Sequence, residues 1–304
     1  MNVFITGATG VLGRVVSRLL LDGGHYIRAL AQNARSESRL RSTGVEVFCG
    51  SLFDPASLRN GVKHCDAILH LATRIPPLNL ASSPSAWKEN DRIRIEGTRN
   101  LISGALESAV STFIYPSVVF VYPDRGDEWI DADTPPAPLL LLQSTLKAES
   151  EVERFTRSGK RGIVLRMGGF YGPTTTTTKY ILRMTRYRLA MVMGRADAYQ
   201  SLIWVDDAAL AVVDSLFKAP AGIYDIVDDE PLQRRELAAA LADVTGRRWL
   251  IRPPRLLFRV FAGRHLMFMT RSQRVSNRKF KAVTGWSPMV ANAKLGLRLS
   301  AIQP

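Results

Sequence analysis

The sequence is poor in cysteine and has no long apolar run. Its 304 residues include only Cys49 and Cys65. Two thiols are too few for a disulfide framework or a cysteine metal cluster, and they suit a reducing cytoplasm. A membrane-spanning helix needs about 20 consecutive apolar residues, and no segment approaches that length, which excludes such a span. The start, Met1–Thr6, lacks the basic leader of a signal peptide and predicts a β-strand.

Acidic residues are missing from the C-terminal end of the chain. The whole sequence has 41 Lys and Arg against 27 Asp and Glu, a net charge of +14. Asp243 is the last acidic residue, and the 61 positions after it carry 13 basic ones. This pattern favours a solvated basic lobe, and it leaves open an anionic ligand or docking on a membrane or nucleic acid. No strong nucleic-acid motif accompanies the charge. A surface-lying helix is a further alternative, because Leu256–Phe258 and Leu266–Met269 interleave with Arg255, Arg259, Arg264 and Arg271.

Apolar residues make up 46% of the chain, which excludes wholesale disorder and allows a sizeable core. The hydrophobic period alternates between strand-like and helix-like, which predicts an α/β fold with a parallel sheet covered on both faces. The predicted strands are Val3–Thr6, Tyr26–Ala31, Val45–Phe48, Ala67–Leu71, Thr112–Tyr115, Gly162–Arg166 and Ile223–Val227. The predicted helices are Val11–Asp22, Trp87–Ser108, 144–158, one opening at Asp54-Pro55 and one opening at Asp206.

Two segments interrupt this rhythm. Residues 123–142 are rich in Pro and Asp and end in Leu139–Leu142, and residues 172–179 run from Gly-Pro through five threonines. We predict that the second segment is a flexible loop. Both follow strands on the side where an open α/β sheet binds ligands.

A glycine pattern joins the first strand to the first helix. Gly7 permits a tight turn, Gly10 lets the backbone approach a diphosphate, and Gly13 brings the helix close to the sheet. The helix N-terminus adds free N–H groups and the positive end of the helix dipole. The pattern therefore predicts a dinucleotide site, with a glycine turn that binds nothing as the weaker alternative.

This spacing resembles the extended short-chain dehydrogenase/reductases, the NAD-dependent epimerase/dehydratase family. Further matches follow in chain order over essentially the whole sequence: His70–Ala72, Gly97–Leu101, Val121-Tyr122, Leu165–Met167, Tyr171–Pro173, Trp204–Ala208 and Thr284–Pro288. The resemblance implies a Rossmann-type doubly wound parallel sheet with a small C-terminal substrate lobe. The expected dinucleotide-binding domain is 1–170, with 201–230 returning to it, and the expected lobe comprises 171–200 and 231–304.

The type of dinucleotide follows from the end of the second strand. NAD-preferring sites usually present a carboxylate there, whereas this sequence reads Ala31-Gln32-Asn33-Ala34-Arg35. Arg35 and Arg14 would suit a 2′-phosphate, although both fit ordinary surface arginines equally well. NADP is favoured and NAD is the alternative. The expected cofactor-binding residues are Gly7, Thr9, Gly10, Val11, Leu12, Gly13, Arg14, Arg35, Ser51, Leu52, Leu71, Ala72, Lys147 and Phe170.

The resemblance breaks at the residues that carry the chemistry. In the family a tyrosine four residues before a lysine transfers the proton, and the lysine binds the nicotinamide ribose. Lys147 fits the lysine position, but Gln143 stands four residues earlier. An amide has no usable pKa, and such a proton transfer typically contributes about 10²–10⁴ in rate. The standard mechanism is therefore not expected.

Two further helpers of the family are displaced. The expected serine or threonine position holds Val118, with Ser117 one step away, and Arg94 replaces a helix asparagine. Ser117, Tyr122 or Tyr171 could substitute, and Arg94 could stabilise an anionic oxygen. The alternatives are that each tyrosine is a packed aromatic with a satisfied hydroxyl and that Arg94 is an ion-pair partner.

The sequence contains two indications of the substrate. Members acting on nucleotide sugars usually carry an arginine five residues before Val-Asp-Asp, where this chain has Gln200. Leu139–Leu142 precede Gln143 and make the rim of the site apolar, unless they simply pack against the lobe. We expect an oxidoreductase or an epimerase- or dehydratase-like enzyme acting on a small apolar molecule. The alternatives are a cofactor-bound sensor without turnover and a non-redox enzyme. A homodimer is left open as its assembly.

Overall fold

A computed structural model describes residues 1–77, 80–251 and 264–302. Seven parallel strands form the central sheet in the order β11-β7-β5-β4-β1-β2-β3. These strands are β1 Asn2–Thr6, β2 Tyr26–Ala31, β3 Glu46–Cys49, β4 Ala67–His70, β5 Thr112–Val118, β7 Arg161–Met167 and β11 Gly222–Ile226. The sheet is therefore the expected doubly wound Rossmann-type sheet, and its strand order reverses between β1 and β4.

Helices cover both faces of the sheet because its strands are apolar on both sides. On one face α1 Val11–Asp22 and α8 Val205–Lys218 pack together, and on the other lie α3 Pro55–Gly61, α5 Thr98–Leu106 and α6 Gln143–Arg157. Three shorter helices complete the sheet region and the C-terminal segment: α2 Ala34–Arg41, α4 Lys88–Arg92 and α10 Arg278–Thr284.

The lobe has its own apolar cluster, built from residues between Tyr171 and Leu297. Its helices are α7 Thr176–Arg186, α9 Arg234–Val244 and α11 Ala293–Ile302. Short strand pairs join β8 Gly169–Tyr171 to β10 Leu202–Trp204, β9 Tyr199–Gln200 to β12 Leu232–Gln233, and β6 Trp129–Ile130 to β13 Arg274–Val275. The division into the two domains at residue 170 stays a prediction.

The flexible loop predicted over 172–179 is wrong from Thr176 onwards, where α7 begins. The Thr175 hydroxyl accepts a hydrogen bond from the Thr178 N–H at 3.2 Å, and the Gly172 N–H donates to the Thr178 hydroxyl at 3.1 Å. Side-chain caps of this kind satisfy the first amides of a helix. The threonine run is therefore a helix start, although threonine disfavours helix interiors.

The long helix predicted over Trp87–Ser108 is present in three parts. A π-helical turn, Ile93–Gly97, separates α4 from α5. Such turns occur frequently at functional sites, and this one carries Arg94. The sequence patterns did not reveal α2, which a capping box between Asn33 and Ser36 begins.

Candidate functional site

The turn between β1 and α1 has no room for side chains at its first and last glycines. Gly7 has φ +75°, and a Cβ there would lie 2.6 Å from the Ala72 backbone nitrogen. A Cβ at Gly13 would overlap the Gly7 carbonyl oxygen. This packing brings the start of α1 against the ends of β1 and β4, as a dinucleotide cradle requires.

The first turn of α1 keeps its amides available. Gly10 is the N-cap residue, and within the described chain no side chain caps this helix. The first α-helical hydrogen bond runs from the Arg14 N–H to the Gly10 carbonyl at 3.1 Å. The N–H groups of Val11, Leu12 and Gly13 thus stand ahead of the hydrogen-bonded ladder, where a helix binds phosphate oxygens. The cradle fits a dinucleotide diphosphate.

We expect Gly10→Val to weaken NADPH binding about 100-fold, the loss of roughly two hydrogen bonds to a charged group. Gly10 has φ −73°, which valine adopts readily, but its Cβ would lie 3.1 Å from the Gly7 carbonyl oxygen. The turn must therefore shift by a few tenths of an ångström while the side chain blocks the cradle. Calorimetric titration would measure the change, with Gly10→Ala as a smaller step in the same direction. Unaltered NADPH affinity in a folded Gly10→Val protein would contradict this placement of the diphosphate.

The end of β2 presents cations and no acid. Asn33 is committed to capping α2, because its side chain accepts the Ser36 N–H at 2.9 Å. Arg35 lies in the first turn of α2 and Arg14 in the first turn of α1, and both are exposed. Within the described chain neither forms an ion pair. Both therefore remain candidates for holding a 2′-phosphate.

The other expected cofactor residues lie near the same edge of the sheet. Leu71 donates its N–H to the Thr6 carbonyl, extending β4, and Ala72 abuts Gly7. Leu52 is buried and accepts a hydrogen bond from the Asn100 side chain, while half-buried Ser51 receives the Phe53 N–H. Thr9 and Phe170 are half-buried, the first in the glycine turn and the second on β8.

Gln143 and Lys147 lie one turn apart at the start of α6, and both side chains are exposed. Residues at i and i+4 share a helix face, so the two project on the same side. Within the described chain the Lys147 ammonium has no hydrogen bond or ion pair. We call Ser117, Gln143 and Lys147 the reaction site, the place where the resemblance implies proton transfer and ribose binding.

Ser117 lies at the C-terminal end of β5, but its hydroxyl is already committed. It donates a short hydrogen bond to the Glu149 carboxylate. Arg166 on β7 grips the same carboxylate with two nitrogens, Nε to Oε1 at 3.1 Å and Nη2 to Oε2 at 2.7 Å. All three residues are buried. The pair fixes α6 to the sheet two residues beyond Lys147.

Tyr122, a candidate substitute for the missing phenol, has a hydroxyl that is already committed. It is fully buried, and its hydroxyl donates to Asp225 Oδ1 at 2.8 Å and accepts from Arg166 Nη1 at 2.9 Å. Burial and the nearby Asp225 carboxylate raise its pKa far above the ordinary value. Tyr171 is similarly buried and donates to Asp228 Oδ2 at 2.8 Å. Both tyrosines follow the alternative of packed aromatics with satisfied hydroxyls.

Asp225 titrates near neutrality because burial raises its pKa to about 7. The Tyr122 hydrogen bond and the Arg166 charge oppose this shift, whereas the Asp131 and Glu149 carboxylates add to it. Its Oδ2 has no hydrogen-bond partner among the described residues. The folded protein therefore holds a proton that the unfolded chain releases near pH 4.

Asp225 by itself should lower stability as the pH rises from about 4 to 7, since at this group the folded state binds more protons than the unfolded one in that range. His70 acts in the opposite direction, because its lowered pKa leaves it unprotonated in the folded state from about pH 4 upwards. Asp225→Asn should remove this contribution and stabilise the protein at pH 8 by up to about 4 kcal/mol, the equivalent of a shift of about three pKa units. Urea unfolding at pH 5 and pH 8 would measure it. If both proteins lose stability equally between the two pH values, Asp225 is not the titrating group.

Arg94 lies in the π-helical turn and is only 4% exposed. Its Nη1 donates to Thr145 Oγ1 at 2.5 Å, on the buried side of α6 between Gln143 and Lys147. Its Nε has no partner among the described residues. The ion pairs of the described chain do not include Arg94, so the alternative of an ion-pair partner is not seen there.

His70 is a buried histidine that the sequence patterns did not single out as chemical. Its Nδ1 and the Thr6 hydroxyl lie 2.7 Å apart at the ends of β4 and β1. Burial lowers its pKa to about 4, so it is neutral near pH 7. The pair joins the two strands at the switch point rather than supplying a charge.

An apolar cluster borders the reaction site. Leu141, Leu142, Trp87 and Phe268 are buried in it. Leu140 is exposed, whereas Leu139 and Leu146 are partly buried. Most of the leucine run therefore packs internally, and only Leu140 is left as an open apolar rim.

Several expectations concern side chains outside the described residues, namely Arg255, Leu256–Phe258, Arg259, Arg264 and Leu266. The docking surface suggested by the basic C-terminal end therefore stays a prediction. Within the parts that the structure describes, none of the helices combines the length and the apolar character needed to cross a bilayer.

The buried acids and bases around α6 were missed from the sequence. Arg166 stands in the apolar run of β7, and a charge inside a buried strand predicts an acidic partner. That signal would have pointed to an acid on the helix packed against β7, which is Glu149. No comparable signal marks Asp225, because its partner Tyr122 is 103 positions away.

Known proteins resemble this chain in sequence. The chain matches the model of the NAD dependent epimerase/dehydratase family over residues 3–226. A 3-diazoavenalumate denitrifying reductase of a Streptomyces species is 29% identical, covering 98% of this chain and 99% of the relative. Sterol-4-alpha-carboxylate 3-dehydrogenase, decarboxylating, of Dictyostelium discoideum is 26% identical, covering 77% and 74%.

Solved structures share the fold over nearly the whole chain. The human epimerase family protein SDR39U1, determined with NADPH, has a TM-score of 0.83 at 20% identity, covering 100% of both chains. UDP-glucose 4-epimerase of Thermus thermophilus, determined with NAD, has a TM-score of 0.77 at 21% identity, covering 99% and 98%. Proteins of this fold thus occur with either dinucleotide.

Proposed function

Because the chain belongs to the NAD dependent epimerase/dehydratase family, we propose that it is an NADP(H)-dependent reductase whose acceptor takes no proton from residue 143. NAD(H) is the alternative cofactor, and the acceptor is a small, apolar or aromatic molecule. The observation that carries the proposal is Gln143, exposed on α6 one turn before Lys147. An amide at this position orients a ligand by hydrogen bonds but transfers no proton.

The residues that would hold the dinucleotide are those of the cradle and its neighbours. The first-turn amides of Val11, Leu12 and Gly13 would bind the diphosphate. Arg14 and Arg35 would take the 2′-phosphate, and Lys147 the nicotinamide ribose. The bound cofactor would supply a hydride, while the protein's own part is to bind, orient and exclude water.

The three hydroxyls that the sequence offered as substitutes for the missing phenol already donate hydrogen bonds within the described chain. Ser117 donates its proton to Glu149, Tyr122 to Asp225 and Tyr171 to Asp228. A ketone needs a proton as well as a hydride, so a ketone substrate would be reduced slowly. The favoured acceptor is one that becomes a stable neutral product on receiving the hydride alone.

An aromatic diazo compound meets this requirement. An arenediazonium ion and a hydride give the arene and N₂: a C–H bond forms, the C–N bond breaks, and the nitrogen leaves with its bonding pair. The charges balance without a proton. The Streptomyces relative is named as a reductase that denitrifies a diazo compound, which supports this class of acceptor for the present chain.

Gln143 and the apolar cluster would share the orientation of such a substrate. The Gln143 amide donates and accepts hydrogen bonds and would hold a polar ring substituent. The exposed Leu140 offers apolar surface beside it, and the buried Phe268 and Trp87 belong to the cluster behind this rim. A dry, apolar wall also protects an electrophile from water.

Deuterium transfer from NADPH labelled at the nicotinamide C4 would test the proposal. Incubation with a benzenediazonium salt and with a panel of aryl ketones should give deuterated arene from the first and little labelled alcohol from the second. Reactions without enzyme and with Lys147→Ala correct for direct reaction in solution. Tight NADPH binding without transfer to any acceptor would favour the sensor alternative, and product formation with unchanged cofactor would favour a non-redox enzyme.

A further inference from the structure

Two arginines near α6 are buried to the same degree but differ in the charge of their partners. Arg166 is 3% exposed and pairs with both oxygens of Glu149, whereas Arg94 is 4% exposed and its side chain, among the described residues, bonds only the neutral Thr145 hydroxyl. No described carboxylate lies within 4.0 Å of Arg94 nitrogens. Burying a guanidinium without an anion is costly, so the contrast requires an explanation.

Two acids on the helices around the Arg94–Thr145 contact are already committed, and the Tyr115 phenol, which interacts with Arg94, is neutral. Asp91 accepts the Ser144 hydroxyl at 2.6 Å, and Glu149 is held by Arg166. Burial raises the pKa of Tyr115 to about 12, despite the opposing charge of Arg94. Tyr115 therefore stays uncharged at neutral pH, and within the described chain the Arg94 charge is left without a counter-ion.

We propose that Arg94 is an anion-binding residue, whose guanidinium is neutralised by an anionic oxygen of a bound ligand. The proposal rests on the proposed function, because it places that ligand beside the reaction site. Thr145 fixes Nη1 and leaves Nε unpaired. An arginine with an unused donor and an unmatched charge suits a carboxylate or a phosphate.

The ligand's anion has two sources, and position favours one of them. Thr145 lies between Gln143 and Lys147, so Arg94 is tied to the part of α6 where the substrate would react. We therefore favour a carboxylate on the substrate, which makes the substrate class a small aromatic acid. The dinucleotide diphosphate has the same oxygen chemistry and is the second source.

Thermal unfolding without ligand is the first arm of the test, with Arg166→Met as the matched control. Arg94→Met removes an unmatched buried charge, so its Tm should equal or exceed that of the wild type. Arg166→Met leaves the buried Glu149 carboxylate without its counter-ion and should lower Tm by about 6 °C or more. A fall for Arg94→Met as large as that for Arg166→Met would mean that Arg94 has a structural counter-ion and would overturn the proposal.

Calorimetric binding is the second arm and separates the two sources. Benzoate, cinnamate and 3-phenylpropanoate, each beside its neutral amide, would be titrated into the full-length protein saturated with NADP⁺. With a substrate carboxylate, Arg94→Met should weaken binding of the acids about 10- to 100-fold and leave the amides unchanged. With the diphosphate, the same variant should weaken NADPH binding instead.

The proposal would be overturned if Arg94→Met bound the acids, the amides and NADPH with the same affinities as the wild type. This outcome is distinguishable from failure of the proposed function, which would appear as absent deuterium transfer in a protein that still prefers acids to amides.

Discussion

Gln143→Tyr is expected to increase the reduction of aryl ketones about 10²–10⁴-fold, the typical contribution of a positioned acid. Residue 143 is exposed at the start of α6, one turn before Lys147. A phenol there would share a helix face with the ammonium, and the positive charge would lower its pKa. The new tyrosine would thus restore the proton donor that the resemblance expects.

Gln143→Phe is the matched control, since it has nearly the shape of tyrosine but no hydroxyl. Initial rates with NADPH between pH 6 and pH 10 would reveal the titration of the introduced phenol. Equal ketone rates for the tyrosine and phenylalanine variants would show that residue 143 is not positioned for proton transfer. If the wild type and both variants bind NADPH with equal affinity, the difference in ketone reduction arises in the chemical step.

Arg166→Met should cost about 3–5 kcal/mol of stability, the usual result of removing one partner of a buried pair. Glu149 is 7% exposed and would keep only the short Ser117 hydrogen bond. Tyr122 would also lose the hydrogen bond that it accepts from Arg166 at 2.9 Å. Urea unfolding would measure the loss at pH 7.

Two variants separate the buried charge from other effects of the substitution. The double variant Glu149→Leu/Arg166→Met removes both charges and should recover a large part of the loss. Arg157→Met breaks the exposed pair with Glu153 and should change stability by only about 0.5 kcal/mol. If Arg166→Met costs no more than Arg157→Met, the buried network does not hold α6 to the sheet.

The part of the molecule that follows local rules could be predicted from the sequence. Glycine spacing and the change of hydrophobic period placed the cradle between β1 and α1, and the structure has α1 at the expected Val11–Asp22. The strands β2 and β7 also lie where apolar runs predicted them. Such patterns depend on residues a few positions apart, so one sequence is enough to read them.

The arrangement of polar side chains could not be predicted in this way. Tyr122 faces Asp225 across 103 positions, and Tyr171 faces Asp228 across 57. Tertiary packing alone decides that both hydroxyls are buried and bonded to carboxylates. The threonine run was misread for a different reason, because the cap at Thr175 outweighs the low helix propensity of the threonines that follow.

The positions of Gln143 and Lys147 on one helix could be predicted from the sequence. The buried contacts around them could not. Gln143 and Lys147 are exposed on one face of α6, as their spacing implied. The commitment of Ser117 to Glu149 and the unmatched charge of Arg94 emerge only from packing between β5, the π-helical turn and α6. The first contact supports the proposed hydride transfer without a proton from residue 143, and the second supports the proposed anionic ligand.

The solvent isotope effect on single-turnover reduction of a benzenediazonium ion tests this claim most directly. With NADPH deuterated at C4 the rate should fall by a primary isotope effect, and replacing water by D₂O should leave it unchanged. Gln143→Ala should show the same pattern. A solvent isotope effect in the wild type that disappears in Gln143→Ala would mean that residue 143 takes part in proton transfer, which contradicts a reaction by hydride transfer alone.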